Sequence, residues 1–308
     1  MNCRFKYHFF KSFLFLIIFY NSKINLYTQN NSFNSEEKKS INQNLGEQIY
    51  QFHFESALQY LKIIQKSEET NNNKILYLLH YYWWCMIAEY DEKSEIYFLK
   101  ILESAKKLES VKTNNPNDLL FKIFIQLYDL RYSALKSNSI ELAFKFKKLT
   151  EYINQSFGLE KSYPEFYFVT GLYAYFYEYI KNSNFMGKLY LTFLPSLPYK
   201  INYENYLLSC YQNKTVNSLL RWESLYFLFK IQFELEKKYD KSLSYIVKLC
   251  ETFPDNYIFK YYYFKILKEN FTDKYSEEMK NTELQLFLSK VCFNSNQKSK
   301  IKKLFENL

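Results

Sequence analysis

The stretch that most limits the folds open to this chain is LRWESLYFLFKIQFELEKKYDKSLSYIVKLCETFPDN, residues 220–256. Tyr226, Phe229 and Phe233 fall on one side of a helix, and so do Ser242, Ile246 and Leu249 after a short polar break. Pro254 then closes the run. Two apolar stripes, a break and a closing proline predict a helix–turn–helix unit of a stacked array, in which each unit buries its apolar face against the next.

The rest of the chain shares this grammar. Four glycines and five prolines in 308 residues are too few for the many turns of a barrel or sandwich. Tyr and Phe, 32 and 30 of them, would by themselves favour strands. Their helical spacing overrides that preference. Polar breaks at 71–73, 112–117, 137–139 and 157–162 separate expected helices over 46–66, 74–89, 91–108, 118–136 and 140–153, and a further helix starts near Pro164. After irregular chain around Pro195 and Pro198, helices are expected near 203–211, 217–237, 240–252, 256–269 and 274–291. The fold class is therefore all-α, an alpha-alpha superhelix of antiparallel helix pairs, with an irregular bundle as its competitor. Its domain spans 45–295, with a flexible lead-in over 31–44 and a basic tail over 296–308.

Recurrent offsets support the array. Ala57, Leu61 and Ile64 repeat the spacing of Ser242, Ile246 and Leu249, and Ser104, Leu108, Val111 and Pro116 repeat it with the proline included. Gly171 lies inside an aromatic helix, where it costs about 1 kcal/mol relative to alanine. Close approach of a neighbouring helix is the compensation to expect.

The N-terminus reads differently. Arg4, Lys6 and Lys11 precede a short apolar core at 12–20, and a polar stretch without acids follows. That is the layout of a secretory signal peptide over 1–30, with no small-x-small cleavage triplet. An uncleaved anchor and a buried N-terminal segment are the alternatives. The core is too short to span a bilayer. Removal of 1–30 takes Arg4, Lys6, Lys11 and Lys23 and lowers the net charge from +9 to +5. The remaining lysines are spread among acids, as on a solvated face rather than a nucleic-acid stripe. Cys85, Cys210, Cys250 and Cys292 would remain, without zinc or redox spacing, and are expected as free buried thiols, although export permits disulfides.

No catalytic or metal motif emerges. His53 and His80 lack a second histidine at ligand spacing, the glycines are dispersed, and Glu223 and Glu234 read as solvated charge. No cofactor is implied. Tyr82, Trp83 and Trp84 in one aromatic helix, with Tyr173 and Tyr177 in another, are the candidate binding surface for a planar or sugar-like ligand; core packing is the competing reading.

The run over 222–254 resembles a tetratricopeptide repeat, with Lys230 where the first helix usually carries a small residue. With the aromatic helices at 81–84 and 170–176 it is similar to divergent exported tetratricopeptide-like proteins of Bacteroidota, over about residues 45–270. The resemblance implies a superhelical scaffold with no catalytic residues to carry over, binding a protein or peptide in its groove. A non-enzymatic interaction module in the periplasm or cell envelope, associated with the outer membrane, is the leading expectation. A small-ligand or glycan-binding protein and a structural assembly subunit are the alternatives.

Overall fold

The structure, a computed structural model, describes residues 35–109, 115–136, 139–182, 191–192 and 194–308. Among these residues it is all-helical, with thirteen α-helices and no strand. They are α1 (Ser35–Tyr50), α2 (Phe54–Lys66), α3 (Asn71–Ile87), α4 (Ser94–Glu109), α5 (Pro116–Lys136), α6 (Ser139–Asn154) and α7 (Phe166–Lys181). There follow α8 (Tyr203–Gln212), α9 (Ser218–Lys230), α10 (Tyr239–Thr252), α11 (Tyr257–Asn270), α12 (Glu277–Ser289) and α13 (Ser295–Glu306). A π-helical turn, Ile231–Leu235, continues α9. None of the described helices is long and apolar enough to cross a membrane. The expected signal segment, 1–30, lies outside the described residues.

The described chain forms two compact units. The first is built mainly from 101–227, with 70–76. Here α5 packs on α6 and α7 packs on α8. Gly171 is where α7 and α8 meet: a β-carbon there would lie 2.9 Å from that of Tyr206. Helix α5 is buried nearly all round, polar residues included. Its Gln126 donates to Glu109 at 2.6 Å, and its Asp129 pairs with Lys106 and Lys145 at 2.9 Å each. These pairings are what let carboxylates stand among apolar side chains.

The second unit brings 35–69 and 77–100 together with 228–308. Helices pair as α1 with α2, α10 with α11 and α12 with α13. Its core is aromatic: Tyr50, Phe52, Trp84, Phe253 and Phe259 are fully enclosed and their rings lie within 6.5 Å of one another in successive pairs. In an array whose repeats touch only their neighbours, residues 50–54 would not meet 252–297. In this unit they do.

The repeat-packing residues divide by register. Ala57, Leu61 and Ile64 are buried, as are Tyr226, Phe229, Phe233, Ser242, Ile246 and Leu249. Pro254 sits exposed in the α10–α11 turn, where the neighbouring Phe253 supplies the buried ring. The expectation for α4 is corrected. Ser104 and Leu108 are exposed, and the inward face is Phe98, Leu102, Ala105 and Glu109. The offset was repeated one position away from the true stripe, and Lys106 and Lys107 fill the positions between. Val111 lies outside the described residues, and Pro116 opens α5 rather than closing α4.

Three further expectations change. Residues 35–44, expected as a lead-in, belong to α1. Residues 296–308, expected as a basic tail, form most of α13; its Ile301 and Phe305 are fully buried while its lysines face outward, so the helix is amphipathic rather than merely basic. Glu223 and Glu234 are not a solvated pair: Glu223 is enclosed, and Glu234 pairs with Lys230, itself buried. Lys230 also donates to the Tyr262 hydroxyl at 2.9 Å. Burial pulls the Lys230 ammonium below its usual range, and Glu234 opposes that shift.

Candidate functional site

The expected helix over 46–66 is broken at Gln51-Phe52-His53, without glycine or proline. Phe52 adopts φ 62°, a left-handed conformation that costs a bulky residue about 1–2 kcal/mol. The backbone there is a Schellman cap: the Phe52 amide bonds the Ile49 carbonyl and the His53 amide bonds that of Gln48. Glu89, at φ 50°, ends α3 in the same way.

Side chains from the C-terminal helices hold these caps. Asn256 donates to the Tyr50 carbonyl at 2.8 Å and Gln297 to that of Phe52 at 3.4 Å. At the end of α3, the Tyr257 hydroxyl donates to the Ala88 carbonyl (2.7 Å) and Asn294 to that of Tyr90 (2.8 Å). Carbonyls that a helix end leaves without intrahelical partners are thus bonded by groups some two hundred residues away. Gln51 completes the junction, accepting from the Asp255 amide at 2.9 Å and donating to the Thr252 carbonyl at 3.3 Å.

On this junction stand His53, Asp255, Lys290 and Cys292. His53 Nε2 lies 2.7 Å from Asp255 Oδ2, and its Nδ1 lies 3.3 Å from Gln48 Oε1. Lys290 pairs with the other Asp255 oxygen. One donor atom each from His53, Asp255 and Cys292 falls within 4.8 Å of the others. The Cys292 thiol is exposed, correcting the expectation that all four cysteines are buried; Cys85, Cys210 and Cys250 are. Partial desolvation and the Asp255 carboxylate push the Cys292 thiol up, against Lys290 and Lys298. Sequence spacing gave no warning of this cluster, since its members come from three separate turns.

A second feature is an open groove of about 520 Å³ among α10, α11 and α12. Val247, Phe264 and Met279 give it apolar footing, and Glu251, Glu278 and Glu283 line it with acid. Lys260, the one cation in the lining, stands 3.5 Å from Glu283.

The aromatic residues expected to bind ligand are mostly core. Trp83 and Trp84 have no exposed surface and Tyr173 has 2%. Tyr173 donates to the Pro195 carbonyl, and Trp84 is enclosed by Tyr50, Phe52 and Phe259. Rings enclosed on both faces have nothing to offer a solute. Tyr82 and Tyr177 are half-buried and belong to different units. Comparison with protein-family models, curated proteins and solved structures finds no match.

Proposed function

We propose that the chain is a non-enzymatic helical-repeat scaffold that binds a basic, partly apolar peptide segment of a protein partner in the α10–α11–α12 groove. The observation that carries this is the groove's lining: three glutamates against one lysine, over an apolar floor. A peptide with lysine or arginine on one face and an apolar anchor on the other satisfies both parts. Contacts between helices successive in the chain and the buried stripes of α2 and α10 support a tetratricopeptide-like superhelix as the scaffold, while the meeting of 50–54 with 252–297 departs from a simple array. The basic and apolar order of residues 4–20 supports export to the periplasm or cell envelope. The small-ligand reading loses its support with the enclosure of Trp83, Trp84 and Tyr173.

Fluorescence anisotropy with a short amphipathic Lys/Leu peptide and its Glu/Leu counterpart tests the reading. The basic peptide should bind and the acidic one should not. Replacing Glu251 and Glu278 by lysine should weaken the basic peptide about tenfold or more. Equal affinity for the two peptides, or binding indifferent to the double replacement, would sink the proposal.

A further inference from the structure

We propose that His53, Asp255 and Cys292 form a Zn²⁺ site that ties the α1–α2, α10–α11 and α12–α13 turns together. The three offer nitrogen, oxygen and sulfur within 4.8 Å of one another, a mixed donor set that suits Zn²⁺ better than Ca²⁺ or Mg²⁺, which take oxygen.

The surroundings have the features of a second ligand shell. Gln48 meets His53 Nδ1 at 3.3 Å, which fixes the ring and leaves Nε2 directed at the site. Lys290 occupies one oxygen of Asp255 and leaves the other for a metal. Tetrahedral ligands about 2.0–2.1 Å from zinc stand about 3.3 Å apart, so inserting the ion between Nε2 and Oδ2 requires an opening of about half an ångström from their 2.7 Å separation. Deprotonated Cys292 and Asp255 would balance the ion's two charges, with the thiol proton released to solvent. The fourth position is left to water.

A catalytic Cys–His–Asp arrangement fits the same residues less well. Both ring nitrogens of His53 are engaged, by Gln48 and by Asp255, and no nitrogen is left to take the thiol proton. What the metal would do is structural. It would cross-link positions 202 residues apart in sequence, next to a left-handed Phe52 that those same turns hold in place.

The site stands apart from the peptide groove, and the test does not depend on it. The full chain is stripped with chelator and titrated with Co²⁺, then with Zn²⁺. One Co²⁺ per chain should bind with a near-ultraviolet thiolate-to-cobalt charge-transfer band, and Zn²⁺ should displace it. Cys292→Ser should lose the band, and Gln48→Ala should weaken binding about tenfold. Zn²⁺ should raise the melting midpoint of the unaltered chain but not that of Cys292→Ser, a replacement at an exposed position. Absence of the band in the unaltered chain overturns the proposal. So does a band, or a Zn²⁺-dependent melting shift, that persists in Cys292→Ser.

Discussion

Asn256 makes the most direct test of how the end of α1 is joined to the C-terminal helices. It is fully enclosed, and its side-chain oxygen accepts from the Ile258 and Phe259 amides at 3.1 and 3.0 Å, capping α11. Its amide nitrogen donates to the Tyr50 carbonyl at 2.8 Å. Replacement by alanine removes the cap, for about 1 kcal/mol. It also removes the donor from a buried carbonyl, for about 1–3 kcal/mol more. The sum is about 3 kcal/mol. With a urea dependence of about 3 kcal/mol per molar, the unfolding midpoint followed by circular dichroism should fall by about 1 M.

Two companions separate the contributions. Ser276 caps α12 with one long bond, 3.4 Å to the Met279 amide, at a half-exposed position. Ser276→Ala should therefore cost only about 0.5 kcal/mol. Asn256→Asp keeps both cap acceptors but turns an oxygen toward the Tyr50 carbonyl, and should be as costly as alanine. If Asn256→Asp is as stable as the unaltered chain, the bond to Tyr50 contributes nothing. If Asn256→Ala costs no more than Ser276→Ala, the reasoning about the buried junction is wrong.

Other perturbations follow from the same geometry. Lys237 holds φ 57° at an exposed position, so Lys237→Gly should stabilise by about 0.5–1 kcal/mol in chemical denaturation. Gly171→Ala should destabilise by about 1–3 kcal/mol, because its β-carbon meets that of Tyr206 at 2.9 Å; an unchanged melting midpoint would show that α7 and α8 separate freely. Trp84→Ala should cost about 3–5 kcal/mol, several times the loss for Tyr82→Ala at a half-buried position, and equal losses would contradict the assignment of Trp84 to the core. The Glu277 carboxyl is held down to about 2 from an ordinary 4.5 by Lys280 and Tyr275. A depressed carboxylate contributes stability above the ordinary value and loses it as pH falls through the folded one. Melting midpoints of Glu277→Gln should therefore lie below those of the unaltered chain at neutral pH and converge with them between pH 4.5 and 2; parallel curves would contradict this.

Local pattern carried the reading of helices a long way. The stripes of α2 and α10 were legible because each helix buries one face, and burial imposes a period the sequence records; α9 is enclosed all round from Glu223 onward, so its buried Tyr226 and Phe229 do not single out a face. The period failed in α4, where Ser104 and Leu108 matched a spacing but not a face. It also failed at Phe52, because a left-handed cap on a non-glycine residue leaves no mark in composition. Trp83 and Trp84 were ambiguous for another reason. A ring suited to a ligand face is equally suited to a core, and only its neighbours decide.

Local pattern was thus enough for the helical class, most helix limits and the inward faces of α2 and α10. These follow from interactions within a few residues along the chain. Long-range packing alone brings residues 50–54 against 252–297 and sets His53, Asp255 and Cys292 together. Those contacts join separate turns across more than two hundred residues. Each turn needs only a polar side chain of the right reach, and many residues meet that need without leaving a period or motif to read.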